Sequence, residues 1–196
     1  ESRDPNTCTA TNPVRVFFPL CGKTVDMAHL ALKNDQVAQV YGIDGVKKSL
    51  EVFASDHPEL GIKETASSSK MNRFVGNGIT LLNGDFFTLT SEDTDGRFEA
   101  IFDRASLVAI DPPLRKDYVK VMSNVIAPGG RILLVVLERA DDKGPPFSVD
   151  EATVRALYES EDWVESVRKL EEDGEKKFNE NDARGFQSRY FLIQAK

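Results

Sequence analysis

The stretch VRVFFPLCGK, Val14 to Lys23, decides the fold of this chain. Its apolar run has the length of a buried strand, and Pro19 and then Gly22 end it. The next ten residues, TVDMAHLALK, repeat apolar side chains at helical spacing and therefore predict a helix. A buried strand, a tight turn and a helix N-terminus together form a cradle for an anion or a cofactor.

The composition indicates one domain that works on small molecules. The length of 196 residues is that of a single domain with a real core. A net charge of −7 disfavours nucleic acid, because neutralising phosphates needs a face rich in Lys and Arg. The apolar runs are too short to cross a bilayer, and no signal peptide is visible. We expect a monomeric cytoplasmic protein without nucleic-acid or membrane partners, in which Cys8 and Cys21 are reduced.

Strand and helix patterns alternate along the rest of the chain. Further strands are expected at 36–44, 79–87, 98–110, 131–139, 163–172 and 187–195, the last two as a hairpin. The alternation predicts an α/β fold with a doubly wound, mostly parallel seven-stranded sheet and one antiparallel strand in the C-terminal hairpin. The expected organisation is an N-terminal arm at 1–13 and a single domain at 14–196, with a surface insertion at about 57–78.

Two helix starts are also expected between these strands. Asp111 is expected to cap a helix that has Pro112 at its first position. Ser148 followed by Glu151 has the spacing of a capping box, so another helix is expected from about Val149.

The turn after the first strand restricts the cofactor. Gly22 and Asp44 are 22 residues apart, close to the roughly 20 at which a carboxylate meets ribose hydroxyls in dinucleotide folds. A pyrophosphate turn needs about three glycines, whereas PLCGKT has one, and no triphosphate-binding loop is present. An adenosyl cofactor without phosphate, S-adenosylmethionine, satisfies both observations.

From Val14 onward the chain resembles the thiopurine S-methyltransferase family of class I methyltransferases. The segments that carry the resemblance are, in order, VRVFFPLCGKTVDM, VYGID, GNGITLLNGDFF, DRASLVAIDPPLRKDY and GPPFSV. The resemblance implies a Rossmann-like fold and methyl transfer from S-adenosylmethionine to a small thiol, thiopurine or selenium acceptor, with S-adenosylhomocysteine as product. It also implies a Trp-bearing lid before the first strand, of which residues 1–13 would be a remnant, since Trp163 is the sole tryptophan.

The resemblance also implies roles for the residues at the strand ends. Leu20 would pack on the cofactor, Asp44 would take the ribose hydroxyls, and Asp85 and Phe86 would flank the adenine. Arg104 would reach the cofactor or the bound thiol and is the catalytic candidate. The complete set of cofactor-binding candidates is Leu20, Cys21, Gly22, Asp44, Asp85, Phe86 and Arg104.

Elementary chemistry supports several of these roles. Carboxylates can accept from ribose hydroxyls and from an exocyclic amine, so Asp44 and Asp85 suit an adenosine. A permanent cation at Arg104 would favour a thiolate. Phe18 and Phe147 are the candidates for apolar walls around a flat acceptor. The resemblance to the family implies a further basic residue at the substrate, for which Lys176, Lys177 and Arg184 are the candidates.

Each role has a simpler structural alternative. Asp44 and Asp85 can be turn residues at strand ends, and Arg104 can pair with Asp103 or Asp111. Cys21 is better explained as a small buried side chain than as a nucleophile, because transfer to an external thiol requires none. The two distant histidines make no metal site.

Three other functions compete with methyl transfer to a thiol. Asp111-Pro112-Pro113-Leu114 is similar to the DPPY motif of nucleic-acid methyltransferases, but Leu114 replaces the aromatic residue and the segment has the pattern of a helix start. Related branches of the superfamily methylate halide or thiocyanate. A truncated homologue that binds S-adenosylmethionine without turnover is the alternative from another class.

Overall fold

The computed structural model describes residues 13–65, 70–139, 143–170 and 186–196. The expected N-terminal arm, apart from Pro13, lies outside these ranges, and so do the basic candidates Lys176, Lys177 and Arg184. The described helices are α1 Val25–Lys33, α2 Lys47–Asp56, α3 Arg115–Val125 and α4 Glu151–Tyr158. The described strands are β1 Val14–Phe18, β2 Val37–Asp44, β3 Lys63–Thr65, β4 Asn72–Gly76, β5 Ile79–Asn83, β6 Phe98–Arg104, β7 Ile126–Arg139, β8 Val164–Lys169 and β9 Phe186–Ala195.

These strands form one sheet in the order β3-β4-β5-β2-β1-β6-β7-β9-β8. The central strands β5, β2, β1, β6 and β7 pair in parallel. β9 runs antiparallel to both β7 and β8 and closes the C-terminal hairpin. The predicted fold class is therefore confirmed, with the antiparallel strand at the expected place. Its strand count is corrected, because the described residues contain nine strands rather than seven.

The two additional strands come from the segment expected to be a surface insertion. β3 pairs with β4 and β4 pairs with β5, both antiparallel, so the segment extends the sheet at its edge. Phe74, which lies on β4, is buried and joins the core. The Ser and Gly residues around these short strands hid the pattern in the sequence, because only two apolar residues of β4 are consecutive.

The sheet buries apolar side chains on both faces. Along β1, Val16 and Phe18 belong to the core layer that packs under α1 and α2, whereas Phe17 belongs to the layer under α3 and α4. This alternation follows from the two-residue repeat of a strand. The continuous apolar run of β7 predicts a strand near the sheet centre that is buried on both faces, but β7 is third from the β8 edge. Its burial alternates, since Ile132, Leu134 and Val136 are fully buried while Leu133 and Val135 are only partly buried.

Both expected helix starts differ in detail from the structure. Asp111 makes no capping hydrogen bond, and a turn of 3-10 helix at Pro112–Leu114 precedes α3. Helix α4 is capped by Asp150, whose carboxylate accepts from the backbone N–H of Thr153 at 2.8 Å. Ser148 instead bonds the backbone of Arg139, so the capping-box prediction was wrong. Asp150 and not Ser148 caps the helix because Asp150 directly precedes Glu151, the first helical residue. From this position its carboxylate reaches the backbone N–H of the third helical residue, Thr153.

The turn after β1 and helix α1 pack closely on Gly42 of β2, so a side chain at this position would force Cys21 and Met27 to shift. An added Cβ would lie 2.7 Å from Cys21 Sγ and 2.8 Å from Met27 Sδ. We therefore expect Gly42→Ala to lower the free energy of unfolding by about 1–3 kcal/mol, measured by urea denaturation. Gly45→Ala is the matched control, because its nearest neighbour would be the Gly84 carbonyl oxygen at 3.8 Å. Equal urea midpoints for the two variants would contradict this packing.

Candidate functional site

The candidate site lies where the parallel strands β1, β2, β5 and β6 reach their carboxyl ends. Leu20 and Gly22 in the turn after β1 have φ angles of 40° and 52°, which is left-handed backbone. Asp44, at the end of β2, accepts a hydrogen bond from the Gly22 N–H at 2.8 Å and another from the Val46 N–H at 2.8 Å. One carboxylate therefore fixes two turns at the rim of the site.

The end of β5 is joined to the same carboxyl-terminal residue of β2. Gly84 N–H and the Asn83 side-chain amide both donate to the Asp44 carbonyl oxygen, at 3.3 and 3.0 Å. Asp85 then caps a 3-10 turn at Phe86–Thr88, accepting from the Phe87 N–H at 2.9 Å. The predicted cofactor-binding residues Asp44 and Asp85, which are distant in sequence, thus follow neighbouring strands at the same edge of the sheet.

Phe86 presents an ordered ring beside these carboxylates. Its side chain is buried, and its ring stacks on Tyr118 of α3 with centroids 4.8 Å apart. Asp85 is exposed next to it. A rigid aromatic ring and an exposed carboxylate at adjacent positions can together contact a flat heterocycle that carries an amine.

Arg104 projects from the end of β6 on the other side of the turn. Its guanidinium pairs with Asp26 of α1, with Nη1 3.2 Å from Oδ2, and not with Asp103 or Asp111 as the structural alternative supposed. Both residues line a cavity of about 240 Å³, whose other lining includes Leu20, Cys21 and Phe18. The structure therefore gathers four of the candidate residues around one cavity.

Asp103, the neighbour of Arg104, is a buried carboxylate beside the site that the sequence-derived candidates did not include. It is fully buried and accepts from the Tyr118 hydroxyl at 2.7 Å and from the Leu107 N–H at 3.3 Å. Burial raises the pKa of this carboxyl to about 6, while the Tyr118 hydrogen bond opposes the rise. The Asp-Arg pair at the strand end was visible in the sequence, but nothing there indicated which member points inward.

The loop that follows Asp103 is tied back to the first turn. The buried Ser106 hydroxyl donates to the Pro19 carbonyl oxygen at 2.7 Å. Ala105, which precedes Ser106 in this loop, has a φ of 65°. The turn after β1 is thus held from the β2 side by Asp44 and from the β6 side by Ser106.

Cys21 has the environment of a packing residue. Its thiol is buried, and desolvation, followed by the charge of Asp44, raises its pKa far above the ordinary value. A thiol held in the neutral form is a poor nucleophile. The lining of the small cavity includes this residue all the same.

The two predicted aromatic walls occupy different places. Phe18 is buried, packs edge-on against Phe102 and forms part of the small cavity. Phe147 lies beyond β7, where its N–H donates to the Val108 carbonyl oxygen at 2.7 Å. The residues that line the small cavity do not include it, so only Phe18 is placed there among the described residues.

A larger cavity of about 450 Å³ lies on the sheet face beside α1. Its walls are mainly apolar side chains of the central strands, including Val16, Phe102 and Leu133, and Asp26 is shared with the small cavity. It lies along the strands rather than at their ends, and its lining lacks Arg104, whereas Asp44 and Asp85 line neither cavity. The place at the strand ends and the presence of Arg104 therefore favour the smaller cavity as the candidate site.

The described residues contain neither a cluster of metal ligands nor a helix that could span a membrane. Within 13–65, 70–139, 143–170 and 186–196, no three His, Cys, Asp or Glu side chains are grouped so that they could hold a metal ion. In the same part of the chain, every helix is too short or too polar to cross a lipid bilayer.

Comparison with known sequences identifies relatives of this chain. The profile of the family described as Thiopurine S-methyltransferase (TPMT) matches residues 5–195. A thiopurine S-methyltransferase of Aliivibrio salmonicida is 36% identical over 169 residues, which are 84% of this chain and 74% of the relative. One from Nitrosospira multiformis is 38% identical over 149 residues, which are 74% of this chain and 64% of the relative. In several of the curated relatives, the segment that this chain matches is less than two thirds of the relative's length.

Solved structures with low sequence identity share the fold. The [4+2]-cyclase SpnF aligns with a TM-score of 0.64 at 12% identity, over 93% of this chain and 75% of SpnF. TehB from Haemophilus influenzae aligns with a TM-score of 0.58 at 16% identity, over 94% of this chain and 57% of TehB. A Burkholderia thailandensis 1,6-didemethyltoxoflavin-N1-methyltransferase, solved with S-adenosylhomocysteine, aligns with a TM-score of 0.57 at 16% identity. The alignment covers 94% of this chain and 71% of the methyltransferase. Since a cyclase is among them, the fold alone does not specify the reaction.

The buried Asp103 makes stability depend on pH in a predictable direction. Its pKa is higher in the folded protein, about 6, than the ordinary 3.8, so it stabilises the fold when protonated and this contribution is lost as pH rises through 6. When the pH falls from 7.5 to 4, the free energy of unfolding of the wild-type chain should therefore rise by about 2 kcal/mol more than that of Asp103→Asn. Urea unfolding of both proteins across this range measures the difference. A difference that stays constant with pH would show that Asp103 is not held in this environment.

Proposed function

Because this chain belongs to the thiopurine S-methyltransferase family, we propose that it transfers the methyl group of S-adenosylmethionine to a small thiol or selenol. Thiopurines and aromatic thiols are the proposed acceptors. The observation that carries the proposal is the arrangement of the strand ends: Asp44 of β2 binds the turn after β1, and Arg104 of β6 lines the cavity beside that turn. Asp85 and Phe86 follow β5, the neighbour of β2 in the sheet.

The described residues fit the proposed cofactor chemically. Each Asp44 oxygen accepts one backbone N–H, and a carboxylate oxygen has two lone pairs, so acceptor capacity remains for two ribose hydroxyls. Asp85 and Phe86 would meet the adenine amine and ring. Leu20, Cys21 and Gly22 form the turn on which the cofactor would lie.

The chemistry requires alignment more than acid or base catalysis. S-adenosylmethionine supplies an electrophilic methyl group on a sulfonium. The chain would hold the acceptor sulfur in line with that methyl group and keep water out, and correct orientation of two reactants can lower a barrier by on the order of 7–11 kcal/mol. The neutral Cys21 thiol lies in the same cavity without a role as nucleophile.

Arg104 is the proposed catalytic residue. Its guanidinium stays cationic at all ordinary pH values and stands at the cavity, with its side chain 62% exposed. A cation beside the acceptor would favour the thiolate over the thiol and so increase the reactive fraction. Phe18 supplies apolar surface in the same cavity, and Phe147 is proposed as a second wall that a bound acceptor would contact.

The first prediction concerns the cofactor. Asp44→Asn removes the charge and half of the acceptor capacity, so we expect its affinity for S-adenosylmethionine to fall at least about tenfold in isothermal titration calorimetry. Asp56→Asn, at the exposed end of α2, is the control and should bind as tightly as the wild-type chain. No binding by the wild-type chain would refute the proposed function, and unchanged affinity in Asp44→Asn would remove Asp44 from the site.

The second prediction concerns turnover. Arg104→Ala should lower kcat/KM for thiophenol or 6-mercaptopurine by roughly 10- to 100-fold, because the acceptor loses the cation that favours its thiolate. Arg97→Ala, an exposed arginine away from the cavity, is the matched control. Binding without transfer to any thiol or selenol would indicate a non-catalytic homologue. Faster methylation of iodide or thiocyanate in the same assay would indicate the halide and thiocyanate branch instead.

A further inference from the structure

Asp26 in the first turn of α1 is the partner that holds Arg104. Its Oδ2 lies 3.2 Å from Arg104 Nη1 and accepts a hydrogen bond from the Thr24 hydroxyl at 2.8 Å. Thr24 is also the N-cap of α1 and accepts from the Asp26 N–H at 3.4 Å. The carboxylate is therefore oriented by the helix cap before it meets the guanidinium.

The position of this pair is unusual for a surface ion pair. Asp26 and Arg104 lie 78 residues apart and connect the start of α1 to the end of β6. Both line the small cavity at the strand ends, together with Leu20 and Thr24. The Arg104 side chain is 62% exposed, and long exposed arginine side chains sample many rotamers unless a partner restricts them.

Stability does not account for the pair. Exposed ion pairs contribute little to folding, because solvent screens the attraction and ordering two side chains opposes it. The carboxylate side chain is 36% exposed, so this pair is well solvated on both sides. What the contact does fix is the direction of the guanidinium relative to the cavity.

We propose that Asp26 is a positioning residue that holds the Arg104 guanidinium at the cavity between β1 and β6. The assignment rests on the proposed function of Arg104 in methyl transfer. Thr24 orients Asp26, Asp26 orients Arg104, and Arg104 meets the acceptor. The turn after β1 and the start of α1 thus supply both the cofactor cradle and the support for the catalytic cation.

The test compares Asp26→Asn with Asp117→Asn. Asp117 occupies the first turn of α3 as Asp26 does that of α1, so both variants lose an acidic residue at a helix N-terminus. We expect Asp26→Asn to lower kcat for thiophenol about 5- to 20-fold, with unchanged affinity for S-adenosylmethionine. Asp26→Glu, which keeps the charge, should recover most of the lost kcat, and Asp117→Asn should match the wild-type chain.

A double-mutant cycle separates action through Arg104 from any other effect. The Arg104→Lys background keeps a cation and measurable turnover. In this background, the fold decrease in kcat caused by Asp26→Asn should be less than half of the fold decrease that it causes in the wild-type background. An equal factor in both backgrounds would overturn the proposal, and so would equal kcat for Asp26→Asn and Asp117→Asn.

A spectroscopic readout keeps the proposal testable without turnover. The Arg104 Nη–H signal in a nitrogen-15 spectrum recorded at low temperature, assigned by its loss in Arg104→Lys, reports the atom that donates to Asp26. It should shift and exchange faster with water in Asp26→Asn but not in Asp117→Asn. An unchanged signal would overturn the proposal. If the wild-type chain shows no methyl transfer while this signal responds as expected, the proposed function fails and the contact between Asp26 and Arg104 stands.

Discussion

The carboxylate of Asp44 is the contact on which the geometry of the site depends. It binds the Gly22 N–H and the Val46 N–H at 2.8 Å each, and so fixes the turn after β1 against the turn that starts α2. That turn needs support, because Leu20 adopts a left-handed φ of 40° without being glycine. Such conformations cost of order 1–3 kcal/mol and persist only where surrounding contacts impose them.

The same turn is held from its other side by buried contacts of the loop after β6. Ser106 donates to the Pro19 carbonyl oxygen, and the fully buried Asp103 binds Tyr118 and the Leu107 N–H. A buried carboxylate is costly unless its oxygens are paired, and here both oxygens have donors. The rim is thus rigid on both sides, which suits a reaction that depends on alignment of two reactants.

Arg104 contrasts with this rigid rim. Asp103 points into the core, while its neighbour in the chain points outward and meets Asp26 across the cavity. The buried residue anchors the loop, and the exposed one is the cation that we propose meets the acceptor. The larger cavity on the sheet face beside α1 shares Asp26 with this arrangement, but its walls are mainly apolar and do not include Arg104.

The sequence by itself determined the fold class, the parallel core and the strand-end positions of Asp44, Asp85 and Arg104. It could do so because each of these follows from a local repeat or from spacing along the chain. Only the tertiary structure decided that Arg104 pairs with Asp26, that Asp103 is buried, and that the segment before β5 adds two strands. These depend on which side chains from distant segments meet in space, and one sequence carries no periodicity that records such contacts.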